Sequence, residues 1–124
     1  MSILGTGVDL VEIARMRRAC TEHAHFVMRV FTEAERKDAL SDRPRYERLA
    51  GRFAVKEAVS KALGCGIGPI SFQDIETVND PSGSPRVQLY GRADARAVEL
   101  GVTNIHVSIS HEKNMAVAMI ILEG

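Results

Sequence analysis

The side chains in this sequence best suited to chemistry are two carboxylates on distant segments, Asp9 and Glu57, with Lys61 one helical turn beyond the second. Brought together, two such carboxylates could bind a hard cation such as Mg²⁺. That ion keeps several waters and is held by one or two carboxylates plus substrate phosphate oxygens. Groups able to hold the phosphates are also present. Arg45, Arg48, Arg52 and Lys56 fall on one helical stripe, and arginine favours phosphate because its planar fork donates two parallel hydrogen bonds. In His106-Val-Ser108-Ile-Ser110-His111, strand alternation places His106, Ser108 and Ser110 on one face and Val107 and Ile109 on the other. Imidazole and hydroxyl groups in a row suit phosphate oxygens. Gly64, Gly66 and Gly68 form a loop open to close backbone approach, although it follows a helix and lacks the Lys-Ser/Thr end of a P-loop. Together these groups describe a phosphate-ligand site that could use Mg²⁺.

Each feature also has a plainer reading. Asp9 could be only the N-cap of a following helix, worth about 1 kcal/mol. The arginine stripe could be a solvated helix face, and the His/Ser row an ordinary sheet face. Glu57 and Lys61 could be an exposed i,i+4 ion pair worth ~0.3 kcal/mol. Their surroundings argue otherwise. They lie between Phe53 and the row Ala50, Ala54, Ala58 and Ala62, where a charged pair is either costly or useful. His106 and His111 do not make a convincing zinc pair, His23 and His25 face different ways on a helix, and no GxSxG elbow is present.

The elements that must position these residues follow from periodicity. Ile3 to Val11 reads as a buried strand, on which Asp9 shares a face with Ile3, Gly5 and Gly7. The two glycines are expected to leave space beside the carboxylate. Glu12 to about Met28 reads as helical, and Thr32-Glu-Ala-Glu35 is a capping box opening a helix of about ten residues. The strongest element is a helix from Pro44 to Leu63, with Pro44 in its first turn and Gly64 just past its end. Ser71–Val78 and Arg86–Tyr90 read as strands joined by the turn-rich segment 79–85. Arg92–Leu100 reads as a helix ended by Gly101. Ile105–Ser110 and Met115–Leu122 read as a second hairpin. The expected class is α+β, with an antiparallel or mixed sheet packed on the long central helix, and residues 1–124 forming one domain.

Composition narrows the function classes. The chain has 124 residues, 16 basic and 16 acidic, for a formal net charge of zero. A whole-surface basic field for gripping nucleic acid is thereby excluded. The charge is uneven: residues 41–64 hold six basic and three acidic side chains, and residues 65–124 hold four and seven. A local basic segment is left for an anionic ligand. No apolar run approaches the roughly 20 residues of a membrane span, and Met1–Leu10 has no positive flank and contains Asp9. The expectation is a cytoplasmic protein with no membrane partner. Cys20 and Cys65 form no CxxC and are expected to be free thiols.

Several of these segments resemble one family. Gly5-Thr-Gly-Val-Asp9-Leu-Val-Glu12-Ile13 resembles the N-terminal motif of holo-acyl carrier protein synthases, the small 4′-phosphopantetheinyl transferases. Gly51-Arg-Phe-Ala-Val-Lys56-Glu57-Ala-Val-Ser-Lys61-Ala-Leu-Gly64 resembles the family's central motif, and His106-Val-Ser-Ile-Ser-His111 its third. Phe31-Thr-Glu-Ala-Glu35 and Ser71-Phe-Gln-Asp-Ile75 fit as well, so the resemblance covers essentially the whole chain.

The resemblance implies a phosphopantetheinyl transferase-like fold. The implied reaction moves phosphopantetheine from coenzyme A to a serine hydroxyl of an acyl carrier protein and releases adenosine 3′,5′-bisphosphate. By the same resemblance Asp9 and Glu57 are Mg²⁺ ligands, and Lys61 neutralises pyrophosphate charge. Arg45, Arg52 and His106, with Ser108 beside it, meet coenzyme A phosphates, and the loop at Gly64 and Gly66 lies near the nucleotide. Related synthases meet their acidic carriers with an arginine-rich first helix. Here Arg15, Arg17, Arg18 and Arg29 supply that charge, diluted by Glu22, His23 and His25. Larger superfamily members resemble two such units in tandem with a site between them. A single unit would have to complete its site across a subunit boundary, and the resemblance implies a homotrimer with interfacial sites. Two other classes are weighed against the transferase: a non-catalytic coenzyme A or nucleotide-binding module, and a structural subunit with no coenzyme A affinity.

Overall fold

The computed structural model describes residues 1–124. In chain order its elements are β1 (Ile3–Glu12), α1 (Ile13–Glu22), α2 (Phe26–Val30), α3 (Glu33–Leu40) and α4 (Tyr46–Ala62). After a 3₁₀ turn at Phe72–Asp74 come β2 (Ile75–Asn79), β3 (Pro85–Leu89), α5 (Gly91–Leu100), β4 (Asn104–His111) and β5 (Met115–Glu123). β1, β5 and β4 make one antiparallel sheet in that order, and β2 and β3 a separate antiparallel hairpin. The α+β class with antiparallel strands on a long central helix is borne out.

Local chemistry sets the element ends. Thr32 accepts from the Glu35 N–H while the Glu35 carboxylate accepts from the Thr32 N–H at 3.0 Å, closing the capping box of α3. α4 stops where Gly64 enters the left-handed region at φ +78°, donating to the Lys61 carbonyl, a conformation that costs a residue without Cβ little. α4 is buried along most of its length, Arg52 and Lys56 included. Ala54, Val55, Ala58 and Val59 are fully buried against Ala118, Ile120 and Leu122 of β5, forming the main core.

The alanine row and the strand glycines act together. A Cβ on Gly7 would overlap the Ala58 carbonyl oxygen, and one on Gly5 the Ala62 carbonyl oxygen. The glycines therefore do not leave space beside Asp9. Their missing side chains let the backbone of α4 lie directly on β1.

Other expectations change in detail. Ile3 does not share the Asp9 face, because the register with β5 shifts between Ile3 and Gly5 and turns Ile3 outward, where it is 65% exposed. The helical region after Glu12 breaks at His23–His25 into α1 and α2, and Glu12 itself ends β1. Ser71 caps the 3₁₀ turn, so β2 starts only at Ile75.

Candidate active site

Asp9 lies inside β1, paired with Ala118 of β5, while the N-cap position of α1 belongs to Glu12. The N-cap reading of Asp9 is therefore excluded. Its side chain points to the α4 side of the sheet, as Gly5 and Gly7 do. The close seating of α4 brings Glu57 and Lys61 to it. Asp9 and Glu57 line one cleft of about 330 Å³, walled by Val11, Met16, Phe26 and Phe53, with Arg15 and Glu12 on its α1 side. The apolar wall was not singled out from sequence as a cleft. Its one periodic signal was Met16 and Ala19, three apart on α1.

Lys61 does not pair with Glu57. Its ammonium reaches across to Asp9 Oδ1 at 2.9 Å and to the Val8 carbonyl at 3.1 Å. Glu57 keeps its carboxyl above the ordinary value, first through burial and then through repulsion from Asp9, with Lys61 pulling the other way. No cluster of three or more His, Cys, Asp and Glu side chains is gathered anywhere, so no protein-only metal cage exists. Two carboxylates, one of them disfavoured as an anion by its neighbour, fit an ion that completes its shell with water and substrate oxygens, as Mg²⁺ does.

The basic stripe on α4 is not a solvated face. Arg48 donates to Asp38 at 2.9 Å. Arg52 is 8% exposed, reaching Asp38 at 3.5 Å and the Asn79 side-chain oxygen at 3.3 Å, with its buried Nε left without a partner. Burial pulls the Arg52 pKa down, against Asp38. Arg48, Arg52, Asn79 and His111 line a shallow pocket of about 240 Å³, a small basic recess suited to an anion. Arg45 stands at the N-cap position of α4.

Lys56 departs most from the stripe. It is 0% exposed and donates to Glu35 Oε1 at 2.8 Å, to the Phe72 carbonyl at 2.9 Å and to the Ile75 carbonyl. Glu35 is fully used as well, since its other oxygen accepts the Thr77 N–H at 2.9 Å. The pair ties α3 and the 3₁₀ turn to α4, and places the Phe72 ring 5.3 Å from Phe53 in the cleft wall. Glu35 therefore has a structural task, and its capping-box spacing was its only sequence signal.

The remaining candidates lie elsewhere. His106 and Ser108 share the outer sheet face, as alternation predicted, and His106 sits 3.1 Å from Glu123. That face is opposite the one carrying Asp9. The groove beside His106, of about 670 Å³, runs between β3 and β4. Gly64 and Gly66 are in the left-handed region, at φ +78° and +69°, with open space beside Gly66. Of the basic residues near α1, Arg15 borders the cleft, Arg18 lies 3.8 Å from Glu12, and Arg29 closes α2. Cys20 and Cys65 are free, and burial raises the Cys20 thiol, leaving it poorly reactive.

A family model described as the 4′-phosphopantetheinyl transferase superfamily matches residues 5–119. The chain is 45% identical over 121 residues to a holo-[acyl-carrier-protein] synthase of Natranaerobius thermophilus, covering 97% of each chain. Its fold matches the crystal structure of holo-[acyl-carrier-protein] synthase from Neisseria meningitidis with a TM-score of 0.90 and 30% identity, over 99% of this chain and 100% of that one. A holo-(acyl-carrier-protein) synthase from Bacillus anthracis in complex with CoA (3′,5′-ADP) matches with a TM-score of 0.80 and 39% identity, over 97% and 96%.

Proposed function

This chain belongs to the 4′-phosphopantetheinyl transferase superfamily, and from that premise we propose that it transfers 4′-phosphopantetheine from coenzyme A to a serine hydroxyl of an apo-acyl carrier protein. The serine oxygen attacks the phosphorus that bears pantetheine. The bond from that phosphorus to the oxygen of the adenosine-side phosphate breaks, and adenosine 3′,5′-bisphosphate leaves. The observation that carries this reading is the meeting of Asp9 and Glu57, from two remote segments, at one cleft bordered by Arg15, with Lys61 paired to Asp9.

In this reading Asp9 and Glu57 hold Mg²⁺, which when bound polarises the attacked phosphate and offsets charge on the leaving group. Lys61 meets pyrophosphate charge beside Asp9, and Arg45 and Arg52, farther toward the N-terminal end of α4, meet other coenzyme A phosphates. Glu57 is the candidate to take the serine proton, directly or through a metal-held water. The loop at Gly64 and Gly66 faces the nucleotide with backbone alone. Arg15, Arg18 and Arg29 meet the acidic carrier.

His106 and Ser108 enter the site through a second copy. They lie on the sheet face away from Asp9. The same face exposes Ile3 (65%), Val8 (56%), Leu10 (64%) and Met119 (48%), a run of apolar surface suited to burial between copies. The chain is proposed to act as a homotrimer with each site at a subunit boundary. Sedimentation should give a trimer, and an active monomer would refute the interfacial arrangement. No helix is long and apolar enough to cross a membrane.

The test is to incubate the protein with coenzyme A, Mg²⁺ and an apo-carrier, then weigh the carrier. A gain equal to one phosphopantetheine is expected. Coenzyme A binding without any gain would instead establish a non-catalytic module.

A further inference from the structure

We propose that Lys61 is a movable counter-ion that competes with the divalent cation for Asp9, so that phosphate ligand and metal strengthen each other's binding. The inference rests on the reading of Asp9 and Glu57 as metal ligands. Its observation is where the ammonium sits. Lys61 bypasses Glu57, its neighbour one turn back on α4, and donates to Asp9 Oδ1 at 2.9 Å and the Val8 carbonyl at 3.1 Å. An oxygen offered as a metal ligand is thus already taken by a positive charge. A divalent cation on the same oxygen would repel that ammonium strongly at such a distance.

Lys61 is free to yield. An ammonium has three donors, and here two have protein acceptors. The side chain is 52% exposed, against 19% for Asp9. Lys56, by contrast, is closed in by three acceptors at 0% exposure and has nowhere to go. A flexible four-carbon stem lets Lys61 leave Asp9 and follow an anion while staying in the cleft. Phosphates that draw Lys61 away release Asp9 to the metal, and metal that expels Lys61 offers its charge to the phosphates. By linkage the two effects are equal in size.

The test measures Mg²⁺ binding alone by calorimetry, at fixed ionic strength, with thermal unfolding to show that each variant is folded. Lys61→Met should bind Mg²⁺ about five-fold or more tightly than the unaltered chain. Lys61→Arg, which keeps the charge, should stay near the unaltered value. Adding adenosine 3′,5′-bisphosphate should tighten Mg²⁺ binding less in Lys61→Met than in the unaltered chain. Equal or weaker Mg²⁺ affinity in folded Lys61→Met, or undiminished tightening by the bisphosphate, would overturn the counter-ion role while leaving the metal site intact. Asp9→Asn separates the premise: it should abolish Mg²⁺ binding, and unchanged binding would remove the metal reading itself and this inference with it.

Discussion

Lys56 and Lys61 stand little more than one turn apart on α4, and each meets a carboxylate from another element. Lys56 and Glu35 are both 0% exposed, with the ammonium closed by two carbonyls and the carboxylate by two backbone N–H groups. Lys61 and Asp9 are 52% and 19% exposed and lie at the mouth of a cleft with a second carboxylate beside them. The same two functional groups thus serve different ends. Deep burial makes the first pair costly to break, because either charge alone would be stranded. Partial exposure makes the second pair weak and exchangeable, a condition for binding something else.

This contrast can be broken in order of effect. Asp9→Ala or Glu57→Ala should lower Mg²⁺-dependent transfer by about 10³-fold with the fold intact by thermal melting. Near-normal turnover in both variants would sink the assignment of the open pair to catalysis. Lys56→Met should cost about 3–5 kcal/mol of stability in denaturant titration, since Glu35 is left charged and buried. Adding Glu35→Gln should recover part of that loss, because no charge is then stranded, although the single amide oxygen can accept only one of the two backbone N–H groups that the carboxylate oxygens share out. If the single variant unfolds no more easily than the unaltered protein, the buried pair is not the tie described above.

The smallest effect concerns Glu57 and pH. Its folded carboxyl titrates above the ordinary value of 4.5, so the folded state holds that proton more tightly than the unfolded one. The resulting stability is fully present below the unfolded value and is lost as pH rises through the raised folded value. In metal-free buffer, Glu57→Gln should therefore flatten the decline in stability above pH 4.5. An unchanged pH profile would mean that burial and Asp9 do not raise the Glu57 carboxyl.

Much of this was legible because it is local. The Thr32 capping box, the Gly64 and Gly101 helix ends, the two hairpins and the alternating faces of β4 each depend on residues close in sequence. The site's acids were legible too, through residue type and the resemblance of three motifs. Less legible was the purpose of Gly5 and Gly7. A glycine pair in a strand is the same text whether it leaves a void or admits a helix, and only the seating of α4 decides. The arginine stripe was misleading for a similar reason, since one face of an isolated helix says nothing about the Asp38, Glu35 and Asn79 that meet it.

The sequence by itself determined which residues could hold a cation and phosphates, the class of fold and the family, because residue chemistry and short-range periodicity are written directly in the chain. Only the tertiary structure decided which lysine is locked and which is free, that Asp9 is a mid-strand carboxylate and not a cap, and that His106 lies across the sheet from it. Those outcomes depend on burial and on partners brought from remote segments. Desolvation and distance set the energy of a charge, and neither exists until the chain has folded.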